Sequence, residues 1–180
     1  MRLRNAGGTA QLIVRSLSRR SQVGRLTFGR LSMACALGRS GMAMRKREGD
    51  GATPIGQFPL RFAFYRPDQM GRPATGLPLK RLSPSDGWCD ACSHSRYNRF
   101  VRHPFAASAE RLWRPDRLYD VVIVIGHNDR PRVHGGGSAI FLHIARDGFK
   151  PTEGCVAVRS SDMRKLLARL KPSTRVCICG

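Results

Sequence analysis

The sequence predicts a mainly β domain, either a β-sandwich or a partly closed barrel, with one substantial helix. The run Leu118–Gly126, LYDVVIVIG, is β-branched and nearly uncharged, which is typical of a central strand buried on both faces. Between Gln11 and Leu37, short apolar runs are broken by glycine and serine, as in consecutive strands joined by tight connections. Only Met163–Leu170 combines a capping sequence with the three-and-four apolar spacing of an amphipathic helix.

Length and charge limit the classes of protein that fit. A chain of 180 residues is long enough for one domain with a real core. Its 32 Lys and Arg against 12 Asp and Glu give a net charge of +20, which attracts polyanions such as nucleic acid or an anionic cell-wall polymer. The basic residues are dispersed, and no helix-turn-helix, RNA-binding aromatic motif or finger spacing is present. We therefore expect no specific nucleic-acid partner and keep a basic nucleic-acid-binding protein as an alternative.

The first 24 residues form a basic segment ahead of the predicted domain, residues 25–180. They contain five arginines and a short apolar cluster at residues 12–14, whereas a secretory signal needs an apolar core of about 7–15 residues. No hydrophobic segment follows the Arg19-Arg20 pair, and no run approaches the ~20 apolar residues of a membrane span. The residues predict no membrane span and leave open whether the protein is exported or acts in the cytoplasm.

The first half of the domain reads as strands and loops. Gln11–Leu37 contains three apolar runs, although Arg15–Arg25 fits a loose loop equally well. The charged stretch MRKREGDGATP, residues 44–54, is glycine-rich and has no apolar period, so it predicts a surface loop. Phe58–Tyr65 is the next predicted strand.

Residues 66–117 are rich in proline, arginine and aromatic residues and have weak periodicity, which predicts an irregular insert that acts as a lid or faces substrate. Within it, Cys89, Cys92, His94 and His103 are zinc ligands by type. The spacing of His94 is too tight for a standard finger and only one C-x-x-C is present, so free thiols or a local disulfide are expected instead of a metal.

The second half of the domain supplies the remaining elements. Ser138–Ala145 and Cys155–Val158 read as strands, and Ser160-Ser161-Asp162 is predicted to cap the helix. Pro172 ends that helix, and Thr174–Ile178 is the last predicted strand.

The stretch Phe141–Val158, FLHIARDGFKPTEGCVAV, contains the candidate chemistry. His143 stands at the end of a buried strand, and Gly154 precedes Cys155. A cysteine beside an imidazole can be held as the thiolate although its ordinary pKa is about 8.5, and the imidazole can act as general base and then acid. The alternative interpretation is a small buried cysteine and a core histidine with satisfied hydrogen bonds.

Two motifs carry a resemblance to a known family. The element TEGC at residues 152–155 resembles the [Ser/Thr]-His-Gly-Cys signature of L,D-transpeptidases of the YkuD type, and TPIGQF at residues 53–58 resembles their T-P-x-G-x-F run. The motifs occur in the expected order and bracket most of the chain, from about Leu26 to Gly180. Glu153 replaces the usual second histidine, the spacing from His143 to Cys155 is somewhat short, and Ala157 stands where many members carry an arginine.

The resemblance implies an L,D-transpeptidase-like fold and a cysteine acyltransferase that acts on peptidoglycan stem peptides through a thioester on Cys155, with His143 relaying the proton. An amine acceptor would give cross-links, and water would make the enzyme a peptidoglycan hydrolase or amidase. The resemblance also implies acylation by carbapenems, a location in the cell envelope or periplasm, and no metal or organic cofactor.

The remaining candidate site residues surround this pair. The N–H groups of Gly154 and Cys155 are expected to receive the oxyanion. Thr152 or a nearby backbone carbonyl is expected to hold the second imidazole nitrogen. His127 and Asn128 follow the central strand and are expected to line the cleft, although a loop hydrogen bond is an equally good interpretation of His127. The resemblance adds the loop residues Thr53, Pro54 and Gly56 as substrate-binding candidates.

Overall fold

The computed structural model describes residues 11–18 and 20–180, and within them the protein is mainly β with one α-helix. A single 3-10 turn covers Asp147–Phe149, and the helix α1 covers Ser160–Leu167. The strands are β1 (Gln11–Ser16), β2 (Val23–Phe28), β3 (Leu31–Ala36), β4 (Met42–Ala43), β5 (Thr53–Pro54), β6 (Gly56–Tyr65), β7 (Leu79–Arg81), β8 (Asp86–Cys89), β9 (Arg99–Arg102), β10 (Ala109–Arg111), β11 (Val121–Ile125), β12 (Phe141–Ile144), β13 (Val156–Val158) and β14 (Arg175–Cys179).

The largest sheet closes on itself. It has nine strands in the order β11-β12-β13-β3-β2-β1-β14-β6-β7, and β6 pairs with β11 as well, which closes the first eight into a ring and leaves β7 beside β6. The ten-residue strand β6 makes this closure because its first half pairs with β14 and its second half with β11. The predicted partly closed barrel with one helix is therefore confirmed.

Strand alternation divides the apolar residues into two clusters. Leu142 of β12 and Val156 of β13 belong to the interior cluster of the barrel, which includes the fully buried Ile123 of β11. Phe141 and Val122 on the neighbouring positions belong to a second cluster on the outer face. Because side chains on a strand point alternately to opposite faces, the barrel wall separates its own core from a layer outside it.

The insert at residues 66–117 covers that outer layer. Four short strands lie within it, and β10, β8 and β9 form a small antiparallel sheet, so the prediction of wholly irregular structure is wrong. Strands of three or four residues are too short for their alternation to stand out in the sequence. The ring of Trp88 meets the edge of Phe141 at 5.3 Å between centroids, and Phe100 stacks on Phe64 at 5.7 Å.

The barrel includes part of the basic amino-terminal segment. β1 begins at Gln11 and pairs in parallel with β14, and β2 begins at Val23. Arg15 lies in β1 and Arg25 in β2, so the loose-loop interpretation of Arg15–Arg25 is wrong at both ends, and the predicted strands joined by a short connection are observed. Residues 1–10 and Arg19 lie outside the described residues.

The helix begins where the apolar spacing predicted it, with Met163, Leu166 and Leu167 buried against the barrel. It ends at Leu167 with Ala168 as its C-cap, so the prediction that it extends through Leu170 and is ended by Pro172 is wrong. The predicted cap is wrong, because Arg159 is the N-cap and forms no side-chain cap hydrogen bond, while Ser160 to Asp162 are in the first turn. Asp162 still complements the positive end of the helix dipole. Across the described part of the chain, no helix is both long and apolar enough to cross a bilayer.

Replacing Leu26, which is fully buried in the barrel core, with alanine is expected to lower the free energy of unfolding by about 2–5 kcal/mol, because the lost methyl groups leave a cavity. Leu17 is 73% exposed, and the same change there is expected to stay within about 0.5 kcal/mol. Denaturant titration of both variants measures the difference. Equal losses would contradict the assignment of Leu26 to a tightly packed core.

Candidate active site

His143 and Cys155 lie on the outer face of the barrel and line the same cavity beneath the insert. In the parallel pairing of β12 and β13, His143 is opposite Ala157. Cys155, two residues earlier, points to the same side as Ala157. The cavity has a volume of about 380 Å³. The residues that line it are Glu48, Asp90, Glu110, Arg114, Leu118, Tyr119, Ser138, Ala139, His143, Arg146, Lys150, Pro151, Thr152, Glu153, Cys155 and Ala157.

The thiol of Cys155 is held by two backbone groups. Its Sγ donates to the carbonyl of Ala139 at 3.2 Å and accepts the N–H of Phe141 at 3.3 Å. Cys155 is only 8% exposed. Burial, followed by the negative charge of Glu110, raises the pKa of the thiol to about 12, although the Phe141 hydrogen bond opposes this.

The imidazole of His143 is oriented by the backbone of its own strand. Nδ1 lies 2.9 Å from the carbonyl oxygen of Ile144, and because a carbonyl can only accept, Nδ1 carries the proton and Nε2 is a free acceptor. The ring packs edge-on against Tyr119 with 5.1 Å between centroids. Burial lowers the pKa of His143 to about 4.

These two pKa shifts favour a neutral thiol beside a neutral imidazole. Burial disfavours the charged form of each group, so it raises the pKa of the Cys155 thiol and lowers the pKa of the His143 imidazole. The expectation of a resting thiolate therefore does not fit the buried pair. The arrangement supplies a protonated sulfur and an unprotonated ring nitrogen in one enclosed site.

The turn that carries Cys155 is shaped by Thr152. Its hydroxyl donates to the carbonyl of Cys155 at 2.6 Å and accepts the N–H of Gly154 at 3.2 Å. Of the two predicted ways to orient the imidazole, the nearby carbonyl is the one observed, at Ile144. Gly154 has φ of 131°, and a Cβ there would lie 2.8 Å from the carbonyl oxygen of Ala52, so only glycine fits.

Glu153 turns away to the surface. Its carboxylate pairs with Arg39 at 2.8 Å, with side-chain exposures of 78% for Glu153 and 51% for Arg39. This contact ties the turn before Cys155 to the segment after β3. Glu153 is therefore a polar loop residue paired with Arg39.

The predicted substrate-binding residues surround the site without reaching its cavity. The described residues that line the cavity do not include Thr53, Pro54, Gly56, His127 or Asn128. Thr53 is fully buried and accepts the N–H of Gly38 at 2.8 Å. Their contact with substrate stays a prediction.

His127 and Asn128 hold the loop that precedes β12. Nε2 of His127 lies 2.9 Å from the carbonyl oxygen of Gly136, which matches the alternative of a loop hydrogen bond. The amide nitrogen of Asn128 donates to the carbonyls of Val133 at 2.8 Å and Gly137 at 2.9 Å. Residues 133–137 are thus held by hydrogen bonds to the exit of β11.

Lys46 is a site residue that sequence reasoning missed. It lies in the predicted surface loop, yet its side chain is only 3% exposed and pairs with Asp50. Its aliphatic stem runs past Gly137 and Gly154, where added Cβ atoms would lie 2.7 Å and 3.5 Å from Lys46 carbons. The surface-loop prediction is therefore wrong for this residue, because an ion pair with a nearby carboxylate has no hydrophobic signature in the sequence.

Asn98 of the insert is a second missed residue, and it joins three segments around the cavity. It is 5% exposed, and its Oδ1 accepts the indole N–H of Trp88 at 2.9 Å and the N–H of Ala139 at 3.2 Å. Its Nδ2 donates to the carbonyls of His127 at 3.1 Å and Asn128 at 2.8 Å. Three of these four hydrogen bonds reach segments 29 to 41 residues away in the chain, which no local pattern predicts.

Two further missed residues are carboxylates bonded to tyrosines. Glu110 accepts the hydroxyl of Tyr119 at 2.5 Å, and burial raises the pKa of Glu110 above its ordinary value. Glu48 accepts the hydroxyl of Tyr97 at 2.5 Å. Both carboxylates come from segments that carried no motif.

The candidate zinc ligands do not converge. In the described residues, no three His, Cys, Asp or Glu side chains are placed to hold a metal ion. Cys89 is buried in β8, Cys92 uses its carbonyl to accept a hydrogen bond from His134, and His94 packs on Phe105. All six cysteines are free, so the expected alternative of free thiols is the one observed, without a local disulfide.

The raised pKa of Cys155 predicts slow alkylation at neutral pH. Because only the thiolate reacts, the rate with iodoacetamide is expected to rise about tenfold per pH unit from pH 7 to about 9.5 without reaching a plateau. Peptide mapping by mass spectrometry identifies the modified residue. The same cysteine in denatured protein is the control and is expected to level off near its ordinary pKa of about 8.5. A plateau below that pH in the folded protein would contradict a buried neutral thiol.

Changing Asn98 to aspartate is expected to lower the free energy of unfolding by about 1–3 kcal/mol, since two donors to backbone carbonyls become acceptors in a buried site. The same amide-to-carboxylate change at the exposed Gln11, as Gln11→Glu, provides the control and is expected to have little effect. Thermal and denaturant unfolding measure both. A loss no larger than that of the control would show that Asn98 does not clamp the loops.

A comparison with models of protein families agrees with the motifs. The family model described as YkuD, L,D-transpeptidase catalytic domain, matches residues 12–178. Among solved structures, a crystal structure of Mycobacterium tuberculosis L,D-transpeptidase 1 is similar with 11% identity and a TM-score of 0.40, covering 95% of this chain and 63% of that one. The comparison with curated proteins yields no match. Since the family model spans most of its length, the chain belongs to the YkuD family of L,D-transpeptidase catalytic domains.

Proposed function

We propose that this protein is a cysteine acyltransferase that acts on peptidoglycan stem peptides through a thioester on Cys155. The observation that carries the proposal is that His143 in β12 and Cys155, directly before the adjacent parallel strand β13, line one cavity of a YkuD domain. A thiol and an imidazole in one pocket are the two groups that nucleophilic acyl transfer requires.

In the first step, Sγ of Cys155 attacks the carbonyl carbon of the donor peptide. The thiol proton passes to Nε2 of His143, which is free because Nδ1 is bonded to the carbonyl of Ile144. A tetrahedral intermediate forms with the negative charge on the former carbonyl oxygen. The imidazolium then returns the proton to the leaving amine, the C–N bond breaks, and the thioester remains.

The neutral resting pair constrains this step. With the thiol pKa near 12 and the imidazole pKa near 4, separated charges are unfavourable before substrate arrives. The proton therefore leaves sulfur during the attack. At that point the positive charge on the imidazole is compensated by the negative charge that develops on the substrate oxygen. The thiol must also leave the Ala139 carbonyl to which it donates in the resting site.

The backbone N–H groups of Cys155 and Gly154 are the proposed oxyanion donors. The N–H of Gly154 donates to the hydroxyl of Thr152 in the resting site, so it would exchange that partner for the substrate oxygen. The positive charge of Lys46 also stabilises the oxyanion, because it already favours the anionic form of Cys155.

The cavity also offers cations for the stem-peptide carboxylate. Arg146 and Lys150 are exposed residues that line it beside His143. They compensate for Ala157, which stands where many relatives carry an arginine.

In the second step the thioester passes to an amine, which yields a cross-link, or to water, which yields a hydrolysed stem. The positive net charge of +20 favours a location near anionic envelope polymers.

Incubation with a carbapenem is expected to add one inhibitor mass to the wild-type protein and none to Cys155→Ala, because the β-lactam carbonyl reports nucleophilic attack by that sulfur. Intact-protein mass spectrometry measures the adduct. His143→Gln is expected to slow adduct formation by about 100-fold or more, since general base assistance is lost.

Cys35→Ala is the matched control, because Cys35 is a second buried thiol whose pKa is also raised to about 12. That variant should label like the wild type. Equal labelling of wild type and Cys155→Ala would contradict the proposal. Chromatography of a stem peptide incubated with an amine acceptor then distinguishes a cross-linked product from a hydrolysed one.

A further inference from the structure

The last strand carries two cysteines that the proposed function does not use. Cys177 and Cys179 are two residues apart on β14, and side chains on a strand alternate between its two faces. Val176 and Ile178 belong to the barrel core, so both thiols lie on the outer face. In either direction around the ring, three strands separate β14 from β13, which follows Cys155 directly. The two thiols therefore lie on the opposite side of the barrel from the candidate active site.

The sulfur atoms of Cys177 and Cys179 are in contact. The two Sγ atoms are 3.2 Å apart, and within the described residues neither sulfur has another hydrogen-bond partner. Both residues are half-buried, whereas Cys35, Cys89 and Cys155 are buried. A reagent in solution can therefore reach this pair more readily than it can reach those three thiols.

The charge next to the pair favours a thiolate. Arg15 is opposite Cys179 in the parallel register of β1 and β14, and it is exposed on the same face. The strands β1, β6 and β14 contain no acidic residue. The hydrogen bond to Cys179, followed by burial, raises the pKa of Cys177, and the charge of Arg15 opposes this. Cys177 is therefore the donor of the pair, and Cys179 accepts its hydrogen bond.

These surroundings suit thiol chemistry better than a metal ion. A structural zinc ion takes four ligands, and no three candidate ligands converge in the part of the chain that the structure describes. The positive charge of Arg15 repels a cation. Two adjacent, accessible thiols beside a positive charge are instead the arrangement in which thiolates react with disulfides.

The spacing of residues along a strand allows a disulfide between these two thiols. Residues two apart on a strand have Cα atoms about 6.6–6.8 Å apart, at the upper end of the range of about 4.4–6.8 Å that disulfides span. An exposed bond near this limit is readily reduced again. The pair can therefore pass in both directions between dithiol and disulfide.

We infer that Cys177 and Cys179, with Arg15, form a site for thiol–disulfide exchange whose co-reactant is a small organic disulfide. Cys179 loses its proton, and its sulfur attacks one sulfur of the co-reactant. The S–S bond of the co-reactant breaks, and one thiolate leaves and takes up a proton. Cys177 then loses its proton and attacks the sulfur of Cys179, which releases the second thiol. The two cysteines lose two electrons, and the co-reactant gains them.

The test incubates the full chain with oxidised glutathione and then blocks the remaining thiols with N-ethylmaleimide. Trypsin cleaves after Arg175 and releases residues 176–180, which contain both cysteines, for mass spectrometry. We expect this peptide to lose two hydrogen atoms in more than about half of the molecules when Cys92 carries glutathione in fewer than about a tenth. The reason is that the second thiol acts at an effective concentration of about millimolar or higher. A pair that stays reduced, or that forms disulfides between chains, would overturn the inference.

Cys177→Ser is expected to stop the reaction at the mixed disulfide, with one glutathione on Cys179 and no internal bond. Cys92→Ser removes another half-buried thiol and is the control, expected to leave oxidation of the pair unchanged. Cys155→Ala is also expected to leave it unchanged, so the inference is tested independently of the proposed function. Absence of glutathione from Cys179 in the Cys177→Ser variant would contradict the order of attack.

Arg15→Gln tests the site without changing either thiol. We expect the internal disulfide to form about threefold or more slowly, because the lost charge no longer favours the thiolate. Arg25→Gln is the matched control, since Arg25 is an exposed arginine in register with Arg15 on the next strand, farther from β14. It is expected to leave the rate almost unchanged. Equal rates in these two variants would remove Arg15 from the site.

Discussion

Burial of a thiol and an imidazole outside the barrel is the constraint on which the rest of the site depends. A nine-stranded sheet that closes has one face turned inward to its own core, so any chemistry must use the outer face. That face is kept from water here by the insert, through contacts such as Trp88 on Phe141. The enclosure keeps Cys155 and His143 neutral at rest, and it strengthens every electrostatic interaction that a substrate makes on entering.

Enclosure of this kind requires that the covering segments be held in place. Asn98 serves this purpose by bonding simultaneously to the insert, to the exit of β11 and to the segment before β12. Lys46 and Asp50 play a comparable part beneath the cysteine turn, where the lysine stem fills space that only glycines leave open. The geometry of two reactive groups is thus maintained by polar residues that take no part in proton transfer themselves.

The predictions from sequence succeeded where a regular pattern extended over many residues. β11, β12 and the start of the helix lie within the segments that their apolar runs predicted, because a regular pattern over many residues gives a signal above that of composition. The predictions were wrong for the insert and for Lys46 in the loop after β4. β8, with four residues, is buried throughout, and Lys46 is buried by an ion pair, so neither shows the alternation on which prediction relies.

The candidate nucleophile, its base and the glycine before the sulfur could be derived from the amino acids alone, since they lie within one stretch and match one family signature. Their protonation could not, because it depends on the depth at which the insert buries them, and burial reverses the thiolate expected from the side-chain types. The carboxylates that line the same cavity could not be predicted from the sequence either. Glu48, Asp90 and Glu110 are far apart in sequence and meet only because barrel closure and the insert bring three separate segments over the same two strands.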